Sequence, residues 1–285
     1  MKSFKYILNI IFSFLLVILL GLNVFSGVLS FIVFNPNYYI DKFEENKFYD
    51  NVLQEVNSGF ENFIYQSGLP ENTIVNLATD DMIKADINSI VLHIIENKEL
   101  VLSSDKIREE LDVRISVFLD KENRTLTKNE RENITKFEDL IVSSYEESIL
   151  PIRDFIDELK SIYDKIFNLY NKVKLIPIIG LIIILFAMFM VNKKSKFDIV
   201  NFSGISLLSI GVLLRLLENV VLKNIDIDNV IVFTSSLTSA FQYIFKDIIF
   251  GLNLLGNWII VIGICFILFY SIIHGSETSK NNVNK

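Results

Sequence analysis

Arg215 is the residue of this 285-residue chain whose chemistry most needs an explanation. It lies in Gly211-Val-Leu-Leu-Arg-Leu-Leu-Glu218, a run otherwise suited to hydrocarbon. A charge within a membrane segment is costly, so it faces a pathway, pairs with a neighbour or reaches the headgroups. Glu218 follows three residues later, one helical turn away, where its carboxylate can face the guanidinium. Arg215 and Glu218 are therefore the candidate functional or helix-packing residues. We favour the plainer role, in which Arg215 snorkels to the headgroups with Glu218 beside it. Asn9, Asn23, Ser203, Ser206, Ser209 and Asn257 are the other polar residues within apolar runs, and all suit hydrogen bonds between helices.

Other reactive side chains are few. Zinc needs three or four N, S or O ligands brought together, and the chain has two histidines and one cysteine. His93 falls in an isoleucine-rich outer segment, Cys265 in the middle of an apolar run and His274 at that run's end, so the topology keeps them apart. His93 is expected at the edge of a packed helix. Asp120-x-Glu122-x-Arg124 starts like a calcium loop, but it lacks the sixth-position glycine and has Arg131 in place of the closing glutamate. It reads as a solvated loop. The sequence contains no phosphate-cradling glycine loop and no nucleophile elbow. We expect no catalytic, cofactor or metal site. A lone cysteine excludes an internal disulfide, and 34 acidic against 27 basic residues speak against nucleic-acid binding.

The elements that carry these residues are dominated by lipid-compatible segments. The chain is 51% hydrophobic. Its apolar residues come in long uncharged blocks, which points to an integral membrane protein. The first block, Tyr6–Phe34, follows Lys2 and Lys5 and carries no charge. It exceeds the 7–15 residues of a signal-peptide core, so an uncleaved anchor is expected. The second span is assigned to residues 173–191. Pro177 there either starts a helix, where it costs little, or kinks one that enters from upstream. The third span is 199–217, with Gly204 and Gly211 inside it, and the fourth is 249–273. Lys193, Lys194 and Lys196 form a short basic connection, and Lys280 and Lys285 lie in the tail. The positive-inside rule then places both termini and the 192–198 loop in the cytoplasm. Residues 35–172 and the 218–248 loop, with its amphipathic stretch around Phe241–Ile249, fall outside. Charge follows the same division. Residues 35–172 hold 28 acidic and 16 basic side chains, a net −12, whereas the remainder is +5.

The outer block reads as all-helical. An apolar stripe from Tyr39 to Phe63 predicts a helix that starts near Pro36, capped by Asn35 or Asn37, and ends by Gly68. A short helical piece is expected in 71–78, a longer helix from Thr79 with Asp80 and Asp81 in its first turn, and another capped by Ser104 or Asp105. Thr127 and Glu130 have capping-box spacing. In the last outer helix, marked by Pro151, residues Ile152, Phe155, Leu159, Ile162, Ile166 and Val173 recur at intervals of three, four and seven. We read this stripe as packing within its own bundle rather than as an intermolecular coiled coil, and as leading straight into the second span.

The expected fold class is an all-α integral membrane protein: four transmembrane helices, with a large helical extracytoplasmic domain between the first and second. This architecture resembles the front half of bacterial transmembrane receptors of the chemoreceptor type, without a shared motif and without their cytoplasmic signalling domain. The wealth of Ile, Asn and Lys fits a bacterial genome of low G+C content. The expected function is an extracytoplasmic interaction or sensing module in the cell membrane. Its partners are the lipid bilayer and a membrane or envelope protein, a homo-oligomer included. An oligomeric channel or transporter subunit, with Arg215 and Glu218 near its outer mouth, is the alternative.

Overall fold

The computed structural model describes residues 2–149, 153–193, 195, 197–232 and 234–283, without the side chains of 2, 3, 66, 153–155 and 275–283. Pro151, Ile152, Lys194, Lys196 and Lys285, together with the side chains of Lys2, Phe155 and Lys280, thus lie outside the described residues. Among the described residues every regular element is helical and none is a strand. Four helices are long and apolar enough to cross a membrane: Phe4–Val33, Ile156–Val191, Asp198–Asn224 and Ser235–His274. The chain divides into two compact units.

One unit comprises Phe34–Ile166 with Ile231–Tyr243. Its helices are α2 (Pro36–Glu45), α3 (Phe48–Glu61), α4 (Ile64–Ser67), α5 (Glu71–Ile74), α6 (Asp80–Glu96), α7 (Ser104–Lys121) and α8 (Lys128–Ile149). The single helix expected from Pro36 to Gly68 is three. Asn46 ends α2, and Lys47 takes a left-handed conformation at φ 53°. That break brings Phe43 against Phe48 and Tyr49, with ring centroids 4.5 and 6.1 Å apart. Aromatic contact and burial offset the strain of a non-glycine residue at positive φ. Asn35 caps α2 by accepting from the Asn37 N–H at 3.2 Å, and Gly68 ends α4 at φ +65°. Thr79 caps α6 by accepting from the Met82 N–H. The capping box forms as the spacing predicts: Thr127 N–H donates to Glu130 at 2.8 Å and Glu130 N–H returns to Thr127 Oγ1 at 3.3 Å. These bonds and Arg124 pull the Glu130 carboxyl down to about 2. The core joins Val56 and Phe60 of α3 to Ile83, Ile107, Leu111 and Ile141. Ala240 also reaches it, from the start of a helix whose first N–H groups Glu55 caps: its carboxylate accepts from Ser236 N–H at 3.0 Å and Ser235 Oγ at 2.6 Å.

The other unit comprises Met1–Val33, Phe167–Val230 and Ile244–Lys285. α1 (Lys2–Val28) relaxes into a π-helical turn over Leu29–Val33. α9 (Arg153–Val173) and α10 (Ile176–Val191) are separate helices, and Pro177 falls in the first turn of α10, where it sacrifices no hydrogen bond. α11 (Asp198–Asn224) and α12 (Ser235–Val283) outrun the apolar segments 199–217 and 249–273, because a helix continues through polar residues once its ladder is established. The amphipathic stretch around Phe241–Ile249 is part of α12 and extends the fourth apolar segment.

Glycines set the closest approaches. Gly204 and Gly211 of α11 are seven residues apart, as are Gly256 and Gly263 of α12. The two pairs face each other across the helices. A Cβ on Gly211 would stand 2.8 Å from Gly256 O, and one on Gly263 would stand 3.0 Å from Gly204 O. Small residues permit backbone contact where lipid supplies no hydrophobic drive between helices. Gly180 of α10 likewise receives Leu19 of α1 at 2.8 Å from a Cβ position.

Candidate functional site

The α11–α12 contact positions the residues singled out in sequence. Gly256 lets α12 approach until a Cβ there would lie 3.2 Å from Arg215 N. One turn further along α11, Glu218 meets α12, and its carboxylate accepts a hydrogen bond from Asn253 Nδ2. Asn257 in turn donates to Asn253 Oδ1 at 3.3 Å. The structure thus brings Glu218 to Asn253 and Asn257 rather than to Arg215. Arg215 is exposed and makes no ion pair among the described residues. Glu218 thus has an amide donor from α12 and no ion pair among the described residues.

A second polar layer lies toward the opposite end of α11. Asn9 and Asn192 exchange two amide hydrogen bonds at 3.0 and 2.8 Å, and both are buried. Ser206 Oγ donates to Ser13 O at 3.0 Å. Lys5 Nζ donates to Ser195 Oγ and Asp198, each at 2.8 Å. Asn9 and Ser206 were legible as helix contacts. Asn192 and Asp198 were hidden by the basic connection around them. Asn23 and Ser209 instead bond to carbonyls one turn back in their own helices.

The Phe34–Ile166 unit holds two buried carboxylates that the sequence argument passed over. Asp86 is 1% exposed. It accepts from Ser103 N–H at 2.8 Å, Ser103 Oγ at 2.7 Å and Tyr145 OH at 2.7 Å. Three donors hold the charge without a cation. Burial and the adjacent Asp86 charge push the Tyr145 phenol well above its usual range. This corrects the expected capping of α7: Ser103 is the cap residue, but its hydroxyl serves Asp86, and Ser104 Oγ donates to Glu146 at 2.7 Å. Ser103 donates its proton to a carboxylate, so the trio is a tie between α6 and α8 and not a nucleophile. Glu138 is buried beside Asp112, with Arg108 at 3.8 Å, and burial pushes its carboxyl up to about 7. Both were detectable: Asp86 lies three residues after Ile83, and Glu138 three before Ile141, on the apolar faces.

The remaining candidates stay apart. His93 Nδ1 donates to Lys98 O at 2.6 Å, an edge position at the end of α6. His274 stacks on Tyr270 at 5.5 Å. Cys265 is exposed on α12. Arg124 of the acidic loop pairs with Glu130. A shallow groove is lined by Lys128, Arg131, Glu132, Thr135 and Lys136, all from α8, and is a furrow of one helix. No protein-family model matches the chain, no curated protein matches it in sequence, and no solved structure matches it.

Proposed function

We propose that the chain is a polytopic membrane protein that presents the 35–172 region outside the cytoplasm, as a helical interaction or sensing module that works by binding and not by catalysis. The observation that carries this is the pairing of charge with fold. Residues 35–172, with a net −12, contain most of a compact helical unit and adjoin two membrane-length apolar helices in sequence. Basic residues gather instead at the short 192–198 connection. The partner is a membrane or envelope protein, reached through the outer unit or the spans. Labelling of single cysteines with a membrane-impermeant maleimide in intact cells tests the sidedness. A cysteine at Asp139 should react from outside, and one at Lys193 only after lysis; the reverse pattern would reject the topology. Affinity capture from native membranes then identifies what the module holds.

The channel or transporter reading is supported by one feature, the exposed Arg215 one turn from Glu218. Replacement of Arg215 by Leu separates the two functions. Lost ion or solute flux with normal partner capture supports transport. Lost capture in a protein that carries no flux supports the interaction module.

A further inference from the structure

Among the described residues, one face of α9 is left exposed. Leu159, Ile162, Ile166, Leu169 and Val173 follow at alternating intervals of three and four, the a and d spacing of a coiled-coil seam. All five are between 37% and 63% exposed. Packing within the chain uses the adjacent row instead: Ile156 is buried in the core, and Tyr163 meets Phe34 edge-to-face at 5.4 Å. The stripe read in sequence as internal packing is therefore exposed along α9, and Leu169 completes its period.

We propose that this face pairs with the same face of a second copy of the chain, the two α9 helices lying parallel. The face ends at the start of the second span, and lipid does not suit the part before it. Glu158, Lys165 and Lys172 flank the seam on one side, and a charge immersed in hydrocarbon is strongly disfavoured. Open water does not suit it either. The five residues together expose about 400 Å² of apolar surface, at the size where a patch on a monomer marks an interface. Two such faces bury about 800 Å², and flanking residues bring a seam of this length to about the 1,000 Å² expected of a specific interface. Charge permits the pairing. In a parallel pair each g position faces an e position of the other helix. The g residues are Glu158, Lys165 and Lys172, and the e residues Ile156, Tyr163 and Tyr170 are uncharged, so no like charges meet. Direction permits it as well. Copies inserted in one bilayer share an orientation, so the same helix in two copies runs the same way. This deepens the proposed function by naming a second copy as a partner, and it rests on that reading for the shared orientation.

The test is disulfide cross-linking of the full chain in native membranes, with Cys265→Ser as background. Under mild oxidation, Ile162→Cys and Leu169→Cys should give dimers on the order of tenfold more readily than Asp157→Cys and Asn171→Cys, because seam positions are held at high effective concentration. Adding Ile166→Lys to Ile162→Cys should abolish the dimer while the protein stays in the membrane, since Ile166 is already 43% exposed. Equal cross-linking at all four positions, none at the seam positions, a product with a chain of different mass, or a dimer indifferent to Ile166→Lys would each overturn the proposal. Impermeant-maleimide labelling of the same variants reports sidedness separately, so a failed topology and a failed dimer are distinguishable.

Discussion

Glu138 makes the stability of the helical unit depend on pH in a direction opposite to most carboxylates. Its carboxyl is raised from 4.5 to about 7, by burial first, then by the hydrogen bond and charge of Asp112, with Asp139 adding and Arg108 opposing. The folded state therefore binds a proton between pH 4.5 and 7 that the unfolded chain has released. The contribution of this group is greatest below 4.5, falls as pH rises through that window, and is fully lost above 7. An unscreened shift of this size corresponds to about 3 kcal/mol. Its neighbours Arg108 and Asp139 are 34% and 60% exposed, so solvent screens the site and reduces the effect to about 1–2 kcal/mol. Glu138→Gln keeps the shape and offers an amide donor to Asp112 without a charge to desolvate. At pH 8 the variant should be more stable than the parent by that amount, a rise in Tm of about 2–4 °C per kcal/mol for a unit of this size. At pH 4 the two should unfold together. Thermal unfolding of the full chain in detergent, followed by circular dichroism at both pH values, reads the difference. A variant less stable at pH 8, or a gap between the chains that does not change with pH, would refute the reasoning.

Three further outcomes follow from the buried contacts. Asp86→Ala strips the acceptor from two hydroxyls and an N–H, and should lower stability by about 3–5 kcal/mol, seen as faster amide exchange in both α6 and α8; unchanged exchange would refute the tie. Gly211→Leu should separate α11 from α12, because its Cβ alone would stand 2.7 Å from Ile260, whereas Gly27→Leu meets nothing within 4 Å and should be tolerated; disulfide trapping between cysteines placed on α11 and α12 reads the spacing, and equal trapping in both variants would contradict it. Asn9→Leu should cost about 1 kcal/mol by removing the cross-helix partner of Asn192, which keeps only its bond to Met188 O, and Asn192→Leu in the same chain should restore most of it; an additive double variant in a denaturation series would refute the coupling.

Several elements were readable from local sequence because local physics decides them. Thr79, Asn35 and the Thr127–Glu130 box start helices as their spacing predicts, since a cap is satisfied within one turn. The apolar blocks mark four membrane-length helices because hydrocarbon tolerates little else. The single long helix from Pro36 did not survive, because the energy that breaks it at Lys47 comes from aromatic residues meeting across the break. The partner of Glu218 was equally hidden. Arg215 is its neighbour along the chain, yet Asn253 lies 35 residues away and arrives only because four glycines let two backbones touch.

The sequence by itself determined the helical class, the apolar helices and the division into acidic and basic regions, all properties of composition and of periods shorter than two turns. Only the tertiary structure decided which carboxylates are buried, which polar residues meet, and that the stripe of α9 is exposed. Periodicity shows that a helix has an apolar face, but what covers that face depends on residues far along the chain or on another chain altogether.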